Sequence, residues 1–165
     1  MLKFVASIAV ILAVTTFVRA EPIPIEVTGA SEPVLCAEKV VDDEPFFVVL
    51  PDDLIVGEGT SCLTQMREKY ESVGGRSVLG IQKVPRAETR RYGVIAPEQV
   101  GPGLHKILHI VEKPRPEDAP SELAVVGRYI LTPRIFQLLH HTERGSGGEI
   151  QLTDAIQRLI AHEPA

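Results

Sequence analysis

Two adjacent carboxylates, Asp52 and Asp53, follow an apolar run that ends at Leu50, with one proline between the run and Asp52. The run, residues 47–50, is typical of a buried β-strand, and ligands of open α/β sheets bind beyond the carboxyl ends of strands. Paired aspartates at such an end suit a divalent metal that faces a phosphate. Asp is also common in turns and at helix N-caps, so the local pattern alone leaves a metal site and a capped loop both open.

A second charged pair, Glu112 and Lys113, follows another apolar run. Gly93 lies between an aromatic and a β-branched residue, where the missing side chain would let a ligand approach the backbone. Two charged strand ends in one domain predict one cleft. Together with Gly93, they predict a site for a phosphorylated, hydroxyl-rich ligand. The alternative is that Glu112 and Lys113 form an exposed ion pair, worth under about 1 kcal/mol.

Alternating helices and strands are predicted around these residues. Ser31, followed by an early proline, and Thr132, which precedes a proline, indicate helix starts, and a Gly-Gly pair indicates a helix end. The Gly-Pro-Gly segment at 101–103 predicts a hairpin-like connection between two short strands. We predict helices at residues 31–41, 61–73, 149–162 and from 132 onward, and strands at 46–50, 77–84, 93–96, 106–111 and 124–131.

The first residues differ in character from the rest of the chain. Residues 1–20 carry an early lysine, an apolar run and small residues before Glu21, which is the shape of a secretory signal. The apolar run is shorter than the roughly 20 residues of a membrane span. The same residues are also consistent with an apolar strand and helix, or with sequence read upstream of a damaged gene. Residues 21–33 are predicted to be a linker before one globular domain at 34–165.

The overall charge is acidic, with 22 Asp and Glu against 17 Lys and Arg and a net charge of −5. An acidic balance repels polyphosphates, so nothing here predicts nucleic-acid binding, and a phosphorylated ligand would depend on local groups such as Lys113 and a metal. Cys36 and Cys62 do not have a metal-ligand spacing. The two could form a disulfide if the chain is exported, but a single possible pair is weak evidence for a disulfide framework.

Several short motifs occur in one order along residues 34–161. They are V-L-C-A at 34–37, D-E-P-F at 43–46, L-P-D-D-L at 50–54, R-Y-G-V at 91–94, V-E-K-P at 111–114, A-P-S at 119–121, V-G-R-Y at 126–129 and E-I-Q-L-T-D-A-I at 149–156. In order and spacing the chain resembles the bacterial UTP–glucose-1-phosphate uridylyltransferases, within the sugar nucleotidyltransferases. The resemblance implies a three-layer α/β/α fold with a mixed, mostly parallel sheet, like that of nucleotide-diphospho-sugar transferases and truncated at both ends. Residues 34–165 would be a partial nucleotidyltransferase domain.

The resemblance also implies an activity and roles for individual residues. The activity is uridylyl transfer from UTP to glucose 1-phosphate, which gives UDP-glucose and pyrophosphate. Asp52 would bind Mg²⁺, and Lys113, the predicted catalytic residue, would contact the sugar-linked phosphate. Glu112 would accept hydrogen bonds from glucose hydroxyls, Gly93 would let the sugar lie against the backbone, and Val125 would wall the sugar pocket.

The chain also departs from the family pattern. The family opens with G-x-G-T-R and L-P-A-T-K segments that bind the nucleotide phosphates, and neither occurs in the sequence. A second metal-binding Asp lies on a later strand of the family than this chain reaches. An inactive sugar-phosphate-binding remnant, or a non-functional fragment of a broken gene, is therefore the alternative to an active enzyme.

The resemblance also has implications for the location of the chain and for its partners. The family implies a cytoplasmic location, whereas the signal-like residues 1–20 imply export. Loss of the first family strands would expose an apolar sheet edge, which predicts a homo-oligomer or other association through that edge.

Overall fold

The computed structural model describes residues 31–145 and 149–163. The signal-like segment 1–20 and most of the predicted linker lie outside the described residues. In chain order, the described elements are α1 (Ser31–Val41), β1 (Phe46–Val49), α2 (Cys62–Ser72), β2 (Val78–Lys83), the 3-10 helix Arg86–Arg91, β3 (Gly93–Gly101), β4 (Leu104–Glu112), β5 (Leu123–Leu131), α3 (Arg134–His140) and α4 (Leu152–His162). Each predicted helix and strand has a counterpart among these elements, and within the described residues only the 3-10 helix was not predicted.

Helix α2 shows how local sequence sets the element bounds. The Ser61 side chain accepts a hydrogen bond from the Thr64 amide at 3.2 Å, which satisfies one of the unpaired donors at the helix start. At the other end, Gly74 adopts a φ of 74°, a left-handed conformation that glycine takes at little cost. The predicted stop at the Gly-Gly pair is confirmed.

Strand β5 is the centre of the sheet. Tyr129 and Ile130 each pair with β1 and also with β2, so these two strands lie on opposite edges of β5. Ala124 pairs with β2 and with Val94 of β3, so β3 shares an edge with β1. Strand β4 pairs with β3 on its far side, and the two form the predicted hairpin.

These pairings correct one part of the expected fold. The α/β class is confirmed, but each described strand pair is antiparallel, whereas a mostly parallel sheet was expected. Strands β1, β2 and β3 do run in the same direction, because each is antiparallel to β5. Since β5 lies between β2 and the other two, none of the three forms a parallel hydrogen-bonded pair with another.

The shared edge of β5 contains a break between two strands. Val49 at the end of β1 pairs with Arg128, and Val94 near the start of β3 pairs with Ala124. Residues 125–127 of β5 therefore lie between the carboxyl end of β1 and the amino end of β3. Glu112, at the carboxyl end of β4, lies opposite Gly93 and thus at the level of this break.

Helices cover both faces of the sheet. Helices α1, α3 and α4 contribute to one hydrophobic core with β1, β3, β4 and β5, which includes the buried Tyr129. Side chains alternate between faces along a strand, so Arg128 points away from that core. Met66 of α2 lies against the Arg128 side of β5 near Gly80. The layers are therefore helix, sheet and helix, as expected. Within the described residues, no helix is both long and apolar enough to cross a bilayer.

Candidate sugar-phosphate site

The loop that carries Asp52 is tied to β5 by main-chain and side-chain hydrogen bonds. The Leu50 amide donates to the Gly127 carbonyl at 2.9 Å, which extends the β1–β5 pairing by one residue. The Arg128 guanidinium donates to the Leu50 carbonyl at 2.7 Å, to the Gly127 carbonyl at 3.0 Å and to the Asp53 carbonyl. Asp52 itself is exposed, and Asp53 is half-buried. The loop is thus fixed by its backbone, which leaves the Asp52 side chain open to solvent.

Gly127 makes this close approach geometrically feasible. Its φ is 58°, and a Cβ at this position would lie 2.9 Å from Leu50 Cβ and 3.3 Å from Asp53 Oδ2. Side chains other than hydrogen are disfavoured at such a φ, and the contact with Leu50 would displace the loop. The glycine inside β5 is therefore a structural requirement of the Asp52 loop.

Glu112 is held from both of its carboxylate oxygens. The Thr153 hydroxyl of α4 donates to Oε2 at 3.0 Å, and the Lys113 ammonium lies 3.5 Å from Oε1. The Glu112 side chain keeps 27% of its surface exposed, and that of Lys113 keeps 61%. An ion pair this exposed contributes little stability, so the Lys113 ammonium remains available to a phosphate.

Lys113 also has an unusual backbone. Its φ is 44°, in the left-handed region that L-residues seldom adopt, and the next residue is the buried Pro114. The Lys113 amide donates to the Tyr92 carbonyl at 2.9 Å, which holds this conformation against the start of β3. Backbone strain of this kind costs on the order of 1–3 kcal/mol and is concentrated at functional sites.

Gly93 is close to Glu112, but the structure gives its missing side chain a second role. A Cβ on Gly93 would lie 2.8 Å from Thr153 Cγ2 and 3.4 Å from Glu112 Oε2. The space is therefore occupied by the protein's own side chains. Val125 lies at the level of Gly93, and its side chain is buried in the core. The sugar contacts predicted for Gly93 and Val125 remain predictions.

Carboxylates at or just after both strand ends contribute to the electrostatic surroundings of the Tyr129 hydroxyl. Burial raises its pKa above the ordinary value of 10.0, and the carboxylate of Glu112 raises it further. Asp53 and Asp52, which follow β1, oppose its ionisation as well. Carboxylates from both strand ends thus act on one buried hydroxyl. This arrangement is consistent with the predicted single cleft. The carboxyl ends of β1 and β4 face each other across the break in the sheet.

The donors near Asp52 suit a hard cation. Within residues 31–145 and 149–163, no three His, Cys, Asp or Glu side chains are grouped so that they could hold a metal by themselves. Mg²⁺ binds proteins through one or two carboxylates and completes its shell with water and substrate phosphates. An exposed Asp52 beside Asp53 fits that mode of binding and does not provide a closed protein cage.

Comparison with known proteins decides the family. A sequence model of the family described as nucleotidyl transferase matches residues 7–165. The chain belongs to the nucleotidyl transferase family. Its expected resemblance to the central part of bacterial UTP–glucose-1-phosphate uridylyltransferases is confirmed.

Curated relatives of this nucleotidyl transferase are described as UTP–glucose-1-phosphate uridylyltransferases. The UTP–glucose-1-phosphate uridylyltransferase of Pseudomonas aeruginosa is 48% identical over 135 residues, which are 81% of this chain and 48% of the relative. That of Bacillus subtilis (strain 168) is 46% identical over 134 residues, which are 81% and 45% of the two chains. The chain therefore spans about half the length of the curated relatives it matches.

Solved structures give the same result for the fold. A UDP-glucose pyrophosphorylase complexed with UDP-glucose superposes with a TM-score of 0.79 at 42% identity, over 84% of this nucleotidyl transferase chain and 52% of the other. A UTP-bound enzyme from Acinetobacter baumannii gives a TM-score of 0.69 at 39% identity, over 81% and 46%. The nucleotidyltransferase fold is thus confirmed for the matched part of the chain.

Three residues that build this site were not predicted from the sequence. Thr153, Arg128 and Tyr129 all lie inside motifs that indicated the family, but none was assigned a role. Their contacts join elements that are distant in sequence: the Thr153–Glu112 bond spans 41 residues and the Arg128–Leu50 bond spans 78. Membership in a motif was the signal that could have drawn attention to them.

Proposed function

We propose that this chain forms the sugar-phosphate side of a uridylyltransferase site. The observation that carries the proposal is that the Asp52 loop after β1 and the Glu112–Lys113 end of β4 meet beside residues 125–127 of β5, where the edge of the sheet is broken. The relatives named above add the reaction, which transfers a uridylyl group from UTP to glucose 1-phosphate. A phosphorylated sugar and a nucleotide would need a cation for the phosphate, a carboxylate for the sugar hydroxyls and an aspartate for the metal.

The reaction is a nucleotidyl transfer, which, like phosphoryl transfer, needs positioning and charge neutralisation more than a covalent nucleophile. A phosphate oxygen of glucose 1-phosphate bonds to the α-phosphorus of UTP, and the bond from that phosphorus to pyrophosphate breaks. Lys113 holds the sugar-linked phosphate as a compact cation. Glu112 accepts hydrogen bonds from sugar hydroxyls, and the backbone at Gly93 supports the sugar beside Val125.

The metal-binding role belongs to Asp52. Mg²⁺ bound there would offset the negative charge of the phosphates during transfer. Asp52 is exposed and its loop is fixed by Arg128, so its carboxylate is presented without competing ion pairs among those observed for the described residues.

A second function is binding of the sugar phosphate without turnover. It is favoured by the grouping at Asp52, which provides too few ligands, within the described part of the chain, to hold a metal without substrate. In this case Glu112 and Lys113 bind glucose 1-phosphate, and UTP is not consumed.

Two measurements separate these functions. Calorimetric titration of glucose 1-phosphate into the full chain should show binding, and Lys113→Gln should abolish most of it. Lys69→Gln, which removes an exposed lysine from α2, serves as the matched control and should leave binding unchanged. Pyrophosphate release from UTP, glucose 1-phosphate and Mg²⁺ then distinguishes an active transferase from a binding protein. Absence of binding by the wild-type chain would refute both.

Localisation and association stay proposals as well. A cytoplasmic location suits an enzyme that uses UTP, whereas a functional signal in residues 1–20 would export the chain. Fractionation of expressing cells, with N-terminal sequencing of the purified chain, separates the two.

A further inference from the structure

We propose that Thr153 is a positioning residue that aims the Glu112 carboxylate at the hydroxyl groups of the bound sugar. The proposal rests on the function proposed above and adds a residue to the specificity of the same site. Thr153 is buried, lies in the first turn of α4 and belongs to a different element from the residue it orients.

The two branches of the Thr153 side chain have different partners. Its hydroxyl donates to Glu112 Oε2 at 3.0 Å. Its methyl fills the space where Gly93 has no side chain, since a Cβ there would be only 2.8 Å from Cγ2. A β-branched side chain has few χ1 choices, and contact of the methyl with the Gly93 backbone removes others. Packing of the methyl therefore fixes the direction in which the hydroxyl points.

Glu112 gains a defined orientation from this contact without losing its capacity to bind sugar. An ionised carboxylate has about four acceptor sites. Thr153 occupies one on Oε2, and Lys113 lies 3.5 Å from Oε1. The remaining sites are free to accept sugar hydroxyls, and the 27% exposure of the Glu112 side chain leaves them reachable. A side chain held in advance loses less rotamer entropy when the sugar binds.

The test compares Thr153→Val, which keeps the shape and loses the hydroxyl, with Thr153→Ser, which keeps the hydroxyl and loses the methyl. In calorimetry with glucose 1-phosphate, Thr153→Val should weaken binding about tenfold, the worth of one hydrogen bond to a charged group. Thr153→Ser should weaken it by less than about threefold. In a Glu112→Gln background, Thr153→Val should cause no further loss, because its effect acts through that carboxylate.

Thr142→Val is the matched control for the loss of a buried threonine hydroxyl. Thr142 is also buried, and its hydroxyl donates to the Leu138 carbonyl of α3 at 2.7 Å and not to Glu112. Its replacement should lower thermal stability as Thr153→Val does and leave sugar-phosphate binding unchanged. Equal binding by wild type and Thr153→Val would overturn the inference, and so would a full effect of Thr153→Val in the Glu112→Gln background.

Crystal structures distinguish failure of this inference from failure of the proposed function. If the wild-type chain binds no glucose 1-phosphate, the proposed function fails, and crystal structures of wild type and Thr153→Val still test the orientation. The inference requires Glu112 to lie within hydrogen-bond distance of Thr153 in the wild type and to adopt another rotamer in Thr153→Val. An unchanged Glu112 rotamer in the variant would overturn it.

Discussion

The guanidinium of Arg128 donates at 2.7 Å to the main-chain carbonyl of Leu50, 78 residues earlier in the chain. Arg128 is only 9% exposed, and its guanidinium also donates to the main-chain carbonyls of Gly127 and Asp53. A buried cation thus holds the loop that presents Asp52 without using the carboxylate of that residue. Loop geometry and the ligand-binding side chain are therefore separable by mutation.

Replacement of Arg128 by Met should destabilise the chain by about 2–4 kcal/mol, because several buried carbonyls lose a charged donor. Urea unfolding measures the change. Arg115→Met is the control: Arg115 is 75% exposed in its side chain, and its loss should stay within about 0.5 kcal/mol. Equal stability of the two variants would contradict the role of Arg128 in holding the Asp52 loop.

Gly127→Ala should cost about 2–3 kcal/mol, because it adds a left-handed alanine and a clash with Leu50. Gly103→Ala is a matched control for the backbone term: its φ is 62°, and a Cβ there meets nothing within 4 Å. The control should lose only about 1–2 kcal/mol. The difference between the two variants in urea unfolding isolates the contact with the Asp52 loop, and equal losses would show that the contact is absent.

Tyr129 should make stability fall at alkaline pH. The folded state raises its pKa, so below the ordinary value of 10.0 both folded and unfolded chains keep the proton. Above that value the unfolded chain releases its proton while the folded chain retains it, and the free energy of unfolding falls by about 1 kcal/mol over the first pH unit. Urea unfolding from pH 8 to about pH 11 should show a smaller decline for Tyr129→Phe than for wild type. Parallel curves would contradict the buried, acid-lined position of this hydroxyl.

Self-association should be visible for the isolated chain. Among the described strands, β1 pairs with β5 alone, and its other edge carries no described partner. In the loop that follows this strand, Leu54 and Val56 are 88% and 83% exposed. Open edges and apolar patches favour contact between copies. Sedimentation velocity should show concentration-dependent dimers or larger species for wild type and less of them for Leu54→Lys combined with Val56→Lys; an ideal monomer at all concentrations would contradict this prediction.

The sequence predicted the local elements well, because their signals are local. Ser61 caps α2 and Gly74 ends it, as hydrogen-bonding side chains and left-handed glycine do in any protein. The arrangement of the strands was less accessible. Insertion of β5 between strands of the same direction depends on pairing between distant residues, such as Val49 with Arg128, and no short pattern records it.

The residues that would contact a ligand were predictable from the sequence, whereas the residues that hold them in place were not. Asp52, Glu112 and Lys113 attract attention because charges directly after apolar runs are unusual and chemically informative. Thr153 and Arg128 have no such signal, since a buried threonine and a buried arginine acquire their roles only when folding brings them to Glu112 and Leu50.

The central claim is that the ends of β1 and β4 form one site for a sugar phosphate. NMR amide spectra of the chain, titrated with glucose 1-phosphate, test this most directly. We expect shifts at one common midpoint for Asp52, Gly93 and Lys113, and no shifts at Lys69 on α2. Absence of shifts at all three residues, or shifts of Lys113 without those of Asp52 at saturation, would contradict it.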